Sequence, residues 1–500
     1  MSKETISQNL LNDCEKEPLA FSGLIQPHGG LLFLSKATGT FTFGSENLES
    51  FIGESCDDLL GEDGEAWIEE MLPDLDGLPS GAGNRAYLPN ALDLGEGEIN
   101  VLISPTSEGW MIEFEFAQEG EENVSAPVIP PINTDNPLDI SHIHQAVVDG
   151  LAEITNYDRV MLYQFLPDWS GEVLAESVLR SSGTYLSLRF PASDIPAIAR
   201  GLYAQAPYRY IPLATNDTVN IVGRGQEGQT LDLTWSDLRS VSPVHIQYLT
   251  NMNVHASFSI SIMVGGKLWG LIASHNDAPG PISLRARLAC TVLISEFVAR
   301  VEAQRVIQKK MIAEQLGSKI GAVLQSASSS EELAQAIIEL ASNLKEQIDF
   351  NDCVIGIDDY STSLNGATDQ TLAKRLISLN DDTSFESITA SDSLPEEFES
   401  KPQAVAAGIA GYASFRVRAT KANNALVTVV LTRAEESGEV AWAGNPQKPV
   451  EVSESGGIKL SPRESFEKWV QVRQGMSRTW NEDDLFVLGL LREQLSAALQ

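Results

Sequence analysis

The residues best suited to chemistry gather in the middle of the chain. Asp194, Arg209, Arg239, His245 and His275 stand there, interleaved with Tyr163, Phe190, Tyr203 and Tyr248. Arg209 and Arg239 lie in largely apolar surroundings, where an anionic ligand would satisfy them. Asp194-Ile195-Pro196 sets a carboxylate ahead of an Ile-Pro pair, which favours an extended backbone with free carbonyls. A lone histidine among apolar residues is ordinarily a hydrogen-bonded core residue. That reading weakens when two histidines, two arginines, an aspartate and three tyrosines share one domain-sized stretch. Signatures of hydrolysis and phosphoryl transfer are absent: there is no GxxxxGK[ST], GxSxG or HExxH. His142-x-His144 is the one close histidine pair, and its spacing on a helix turns the rings to different faces, so no metal site is expected. Cys14, Cys56, Cys290 and Cys353 form no CxxC, which suits a reducing cytoplasm.

Alternating stretches must position these residues. DRVMLYQFL and GEVLAESV read as a hairpin, and HASFSISIMVGG and KLWGLIASHN as a second one, turning at Gly265-Gly266. A helix over 140–154 precedes them, with Ile140, Ile143, Val147, Val148, Leu151 and Ile154 at helical spacing. The N-terminal block shows short strands within 30–45 and 98–116 and a helix near 64–72, and a Pro-rich connector (119–137) follows. Helical periodicity then runs from 283 to 326 through Leu288, Val292, Phe297, Val301, Met311, Leu316, Ile320 and Val323, a rod of roughly 60 Å. The last block opens with a helix (331–346), contains the strands CVIGIDDY and ALVTVVLTR, and makes a Gly-, Pro- and Ser-rich excursion over about 434–468. It closes on a helix with an acidic start at Asn481, Asp483 and Asp484 and a face of Leu488, Leu491, Leu495 and Leu499. That helix and the long one are expected to run alongside a dimer mate.

With 500 residues the chain has room for about three domains. Its 34 Lys and Arg against 69 Asp and Glu leave a net charge of -35, which makes nucleic acid and anionic membrane surfaces poor partners. No apolar run reaches the ~18 residues of a transmembrane helix, and the N-terminus lacks the pattern of a signal peptide.

The central segments DRVMLYQF, FPASDIP, SPVHIQYL and LWGLIASH resemble the chromophore-binding GAF domain of bacteriophytochromes. Cys14 ahead of Ile25-Gln26-Pro27-His28-Gly29 is similar to the way these proteins begin. Trp442-Ala443-Gly444-Asn445-Pro446 and Pro462-Arg463-Glu464-Ser465-Phe466 resemble the tongue motifs of a PHY domain. The resemblance spans essentially the whole chain. It implies an α+β protein of three domains, each an antiparallel sheet flanked by helices: a Cys segment with a PAS domain (1–125), a GAF domain (138–310) and a PHY domain (311–500) with its tongue at about 434–468. A long GAF–PHY helix and an N-terminal knot through the GAF domain are implied with it.

The implied function is red/far-red photoreception by biliverdin IXα, joined through a thioether to Cys14. Arg209, Arg239, Ser257 and Ser259 match the positions that hold the two propionates, and the Asp194 carbonyl and His245 those that bind the pyrrole N–H groups. His275 matches the partner of the ring D carbonyl; Tyr163, Phe190 and Tyr248 match the walls around ring D, with Ile195 near the rings and Tyr203 in the same set. Asp194 is expected close to solvent, paired with Arg463 in one state and with Ser465 in the other, as the tongue carrying Trp442 changes from β-hairpin to helix. A homodimer and a C-terminal output domain, a histidine kinase or a diguanylate cyclase, are the implied partners; the module itself has no catalytic role. Asn253, His255 and Asn276 depart from the family's pattern, as does Ala443 in Trp442-Ala443-Gly444. A rival reading, a GAF-type cyclic-nucleotide sensor, would use the two arginines on a phosphate but leaves Cys14, the IQPHG stretch and the Arg463 segment without a role.

Overall fold

The computed structural model describes residues 17–500 except 82, 96, 119–123, 134–135, 137–138, 181–182, 226–227, 327–328, 346, 367, 380–386, 399–400, 421–423, 437–438, 447–449, 453–457, 461–462 and 473–474. Cys14 lies outside the described residues. The chain forms two bodies: Met1–Thr134, Asp139–Glu302 and Trp442–Trp469 make the first, Asp135–Leu138, Ala303–Ala441 and Val470–Gln500 the second.

In the first body the N-terminal block is an antiparallel sheet in the order Leu24–Ile25, Val219–Gly223, Phe41–Ser45, Gly29–Ser35, Gly109–Phe116, Glu98–Pro105, Ala86–Asp93. Its strands alternate, and both faces are buried. Leu32, Leu34, Val101, Ile103, Ile112 and Phe114 pack under the block's own helices, among them Gly64–Met71. Leu31, Phe33, Phe43 and Met111 face Leu231, Leu233 and Leu238 of the central block. The strand Val219–Gly223 crosses from the central block into this sheet, which is why the two blocks make one body. Residues 24–26 are bonded on one side by that strand, with Leu24 facing Asn220 in register, and on the other by the later stretch 238–240, where Ser240 N donates to Leu24 O at 3.1 Å and Gln26 N to Leu238 O at 2.7 Å.

The central block has its own sheet: Tyr208–Ile211, Ala256–Val264, Lys267–Asn276, Arg159–Phe165, Gly171–Val178, Arg189–Phe190, then Glu439–Ala443 and Lys468–Val472 from the excursion. Gly265 and Gly266 take φ of 58° and 76° at the hairpin turn, conformations open to glycine without a Cβ clash. One face carries Tyr208, Tyr210, Phe258, Ile260, Ile272 and Leu162, packed on the helix Ser141–Thr155 and the start of the helix Leu284–Ser326. Each such fully buried side chain contributes roughly 1.5–3 kcal/mol.

The long helix extends over 43 residues, as its periodicity predicts. Val292, placed on its buried face by the sequence reading, is 60% exposed; Cys290, Leu293, Ile294 and Phe297 supply the buried stripe, because a 3.6-residue period puts 292 on the opposite side.

The second body holds a five-stranded antiparallel sheet, Tyr360–Ser363, Asp352–Ile357, Ala425–Arg433, Gly411–Ala419, Thr389–Ser391, with the helix Ser330–Ser342 against it. The C-terminal helix Glu482–Leu499 starts with a capping box between Asn481 and Asp484. Leu488, Leu491, Leu495 and Leu499 are all buried in this body's own core. The leucine face is therefore used within this body's own core.

Candidate functional site

The strand Ala256–Val264 explains the site. Its sequence alternates polar and apolar residues, so Phe258, Ile260 and Ile262 go to the core and Ser257, Ser259 and Ser261 to the other face. Cross-strand partners share a face. Register therefore sets Arg209 beside Ser259, His275 beside Ser257 and Tyr163 beside Leu271, itself opposite Ser261. Over this polar face lie the short helices Ala197–Tyr203 and Pro243–Asn251. The latter begins at Ser242, whose hydroxyl caps Val244 N, followed by Pro243 in the first turn. His245 and Tyr248, three residues apart, stack with centroids 5.9 Å apart and planes 13° apart.

Among the described residues, several buried polar atoms in this crevice find no hydrogen-bond partner: Arg209 Nη1, His275 Nδ1 and Tyr163 Oη. Buried polar atoms normally find a partner, and water or a ligand can supply one here. Arg209 uses Nη2 on the carbonyls of Arg239 (2.5 Å) and Ser240 (2.9 Å), and Arg239 reaches those of Leu233 and Thr234, both at 3.3 Å. Among the described ion pairs neither arginine has a carboxylate. Burial, and then Arg239, pulls the Arg209 pKa down to about 9; burial also lowers that of Arg239. Two such cations are matched by a ligand with two acidic groups. Burial, with Arg209, holds His245 at about 4, and burial, with Arg159 and His245, holds His275 at about 3. Both are neutral at pH 7 and can donate or accept. Tyr163 packs edge-on against Phe165 (5.3 Å) and Phe190 (6.0 Å), and Gly171 makes room for it, since a Cβ there would lie 1.9 Å from the tyrosine ring. Ile195 ends the 3₁₀ turn Ala192–Asp194, where its carbonyl accepts from Arg200 at 2.6 Å; Tyr203 is half-buried at the end of its helix.

Asp194 and Arg463, 269 residues apart in the chain, form a forked ion pair in which Arg463 Nε donates to Oδ1 at 3.2 Å and Nη2 to Oδ2. Tyr248 Oη donates to the same carboxylate at 3.1 Å. Both paired side chains are 2% exposed, which corrects the expectation that Asp194 stands close to solvent. The Pro191–Pro196 turn exposes its backbone but folds the carboxylate under the excursion. Burial would lower the Arg463 pKa, but Asp194 outweighs it and the net shift is upward. Ser465 is exposed, and its hydroxyl accepts from Glu467 N at 3.4 Å. Trp442 pairs with Arg189, so the excursion joins the central sheet as β-structure.

Three contributors escaped the sequence reading. Phe466 is buried 5.1 Å from Tyr248 and 4.8 Å from the Arg463 guanidinium. Asn251 Nδ2 donates to Arg463 O at 2.9 Å, and Ala443 O accepts from Arg463 Nη1. Phe466 and Ala443 stand inside the tongue segments named above without a role assigned to them there, and Asn251 lies two residues before the departure at Asn253. The departures fall in structural places. Asn253 takes φ 57°, a left-handed conformation asparagine tolerates. Asn276 caps a turn, accepting from Asp158 N at 3.1 Å, and His255 is exposed.

Comparison with known proteins identifies the class first. Residues 14–81 match the PAS fold, 139–303 the GAF domain and 318–500 the phytochrome region. The chain is 31% identical over 510 residues to a bacteriophytochrome of Pseudomonas aeruginosa, covering 98% of this chain and 67% of that one. It is also 31% identical to cyanobacterial phytochrome B of Nostoc, covering 95% of this chain and 64% of the relative. The photosensory core module of Stigmatella aurantiaca phytochrome superposes with a TM-score of 0.75 at 27% identity, covering 97% of both chains. The chain belongs to the phytochrome family, and it is a PAS–GAF–PHY red/far-red photoreceptor module. The family's chromophore is a bilin, whose propionates and ring carbonyl fit the unpartnered donors described above. No described helix is long and apolar enough to cross a membrane.

Proposed function

We propose that the chain senses light through biliverdin IXα held in the crevice between the polar face of the central sheet and the helix Pro243–Asn251. The observation that carries this reading is the pair Arg209 and Arg239, two buried cations with no described carboxylate partner, beside a free His275 Nδ1. When bound, the bilin supplies light absorption and isomerisation at the double bond between rings C and D. The residues of this chain do the rest. Arg209 and Arg239, with Ser257 and Ser259, hold the propionates. The Asp194 carbonyl and His245 orient the pyrrole N–H groups, and a neutral imidazole beside them favours the cationic chromophore. His275 donates to the ring D carbonyl, while Tyr163, Phe190, Tyr203, Tyr248 and Ile195 wall the crevice and exclude water. Cys14 forms the thioether.

The domain bounds we assign are 1–125, 138–310 and 311–500. The switch we assign to the tongue, 434–468: Arg463 leaves Asp194, Ser465 replaces it, and the β-structure around Trp442 becomes helical. A forked arginine–carboxylate pair is strong and directional, so exchanging it for a serine contact biases a refolding segment. The module acts as a cytoplasmic dimer and passes the change to a C-terminal output domain, without catalysis of its own. The test is the absorption spectrum of the purified protein after biliverdin is added. A red band that shifts on illumination is expected, and the absence of any band refutes the reading.

A further inference from the structure

The tongue leaves and re-enters the second body at neighbouring points, and one side chain spans them. Arg433 is the last residue of the strand Ala425–Arg433, just before the chain departs. Its side chain is 2% exposed and its guanidinium reaches five groups at once, the weakest being Arg478 O, which accepts from Nη1 at 3.4 Å. Nε donates to Asp349 O at 2.7 Å, Nη1 to Thr479 O at 3.1 Å, and Nη2 lies 3.0 Å from Asp484 Oδ1. The guanidinium also lies 3.8 Å from the ring of Trp480, a fully buried side chain. Thr479, Trp480 and Asp484 all follow the tongue, and Asp484 is the capping-box residue in the first turn of the C-terminal helix. Just outside this point the limbs are tied again, by Glu436 N to Met476 O at 3.0 Å and Gly475 N to Glu435 Oε1 at 2.6 Å. The returning limb is seated tightly: Ser477 N donates to Asp392 O at 2.7 Å, and a Cβ on Gly411 would lie 2.0 Å from Ser477 Oγ.

We infer that Arg433 is a clasp at the base of the tongue, a positioning residue that couples the tongue's state to the start of the C-terminal helix. The inference rests on the tongue reading above. A segment that refolds from strand to helix shortens, because the rise per residue drops from ~3.3 Å to ~1.5 Å. If the residues after the tongue were loose, 475–481 would absorb that change. With Arg433 fixing Thr479, Trp480 and Asp484 to the departing strand, the change is delivered to the helix Glu482–Leu499 instead. Arginine suits the role because its planar fork donates to three carbonyls and stands against a carboxylate while its face stacks on Trp480; lysine offers a point charge without the stack.

The experiment compares the biliverdin-loaded parent with Arg433→Lys and with Asp484→Asn, which keeps the volume and an acceptor for the cap but removes the ion pair. Hydrogen exchange is read in darkness and after red light over 439–446 and 463–472 for the tongue and over 482–490 for the helix, with photoconversion followed by absorbance. In the parent both regions are expected to change on illumination. In each variant the tongue and the spectra should still respond, while the light-dependent difference over 482–490 falls about tenfold, as expected when a buried ion pair that orders a helix end is weakened. A helix response of parental size in both variants overturns the clasp. A parent whose tongue does not change on illumination overturns the tongue reading, and the clasp with it. A variant that still photoconverts but loses the tongue response shows Arg433 acting on the tongue itself and also overturns the clasp.

Discussion

Arg463→Ala removes the contact on which the proposed switch turns. In the parent, Asp194 receives two donors from Arg463 and one from Tyr248, and both charged side chains are 2% exposed. Alanine leaves a buried carboxylate with the Tyr248 hydroxyl as its remaining described side-chain donor. Breaking a fully buried pair in this way costs about 3–5 kcal/mol. The guanidinium also lies 4.8 Å from the Phe466 ring, a cation–π contact worth roughly another 0.5–1 kcal/mol. At ~1.4 kcal/mol per tenfold, the balance between the β-tongue and its alternative should move by two decades or more. Biliverdin should still bind and isomerise, because Arg209, Arg239 and His275 are untouched. The dark-reversion rate should change by at least about tenfold, and the backbone amides of 439–446 should exchange faster in darkness. Ser465→Ala should leave the dark protein unchanged, since among the described residues that exposed hydroxyl accepts a single weak bond, from Glu467 N, and alter the illuminated state alone. The assays are absorbance after a red pulse and hydrogen exchange in both states. If Arg463→Ala matches the parent in reversion and exchange, the ion pair is not the relay.

Further outcomes are expected. Cys14→Ser should bind biliverdin without a covalent link, seen as loss of zinc-induced fluorescence on a denaturing gel; a band that persists identifies another cysteine. Arg209→Ala should weaken biliverdin binding by about tenfold or more, the loss of one charge-assisted contact; biliverdin dimethyl ester should bind parent and variant alike, and an equal loss for both ligands would refute a propionate role. Burial holds His28 and His275 at about 3 and His144 and His245 at about 4, below the unfolded 6.5. The unfolded state therefore binds more protons on acidification, so stability of the biliverdin-free protein should fall as pH drops from 6.5 towards 4, by about 1.4 kcal/mol per pH unit for each such histidine. Urea titrations across that range check it, and His144→Gln should reduce the slope by about one proton; a slope unchanged in the variant would remove His144 from the account.

Periodicity legible along the chain accounts for most of the elements. Two-residue alternation in HASFSISIMV marked the strand Ala256–Val264, Gly265-Gly266 marked its turn, and the 3.6-residue repeat marked the 43-residue helix. These are local patterns, set by backbone geometry within a few residues, so a sequence can carry them unaided. The candidate site residues stood out in the sequence because charged and polar types are costly to bury without a partner. What one strand cannot show is its neighbour. The polar alternate of Ala256–Val264 became a candidate binding face only when register put Arg209 and His275 against Ser259 and Ser257. The burial of Asp194, the docking of Phe466 on Tyr248 and the use of Asn251 all depend on a segment more than 200 residues away. The leucine face of the C-terminal helix reads the same whether it meets its own sheet or a second chain, and here the sheet took it. Apolar burial is non-directional, so an apolar stripe shows that a face will be covered, and long-range packing settles what covers it.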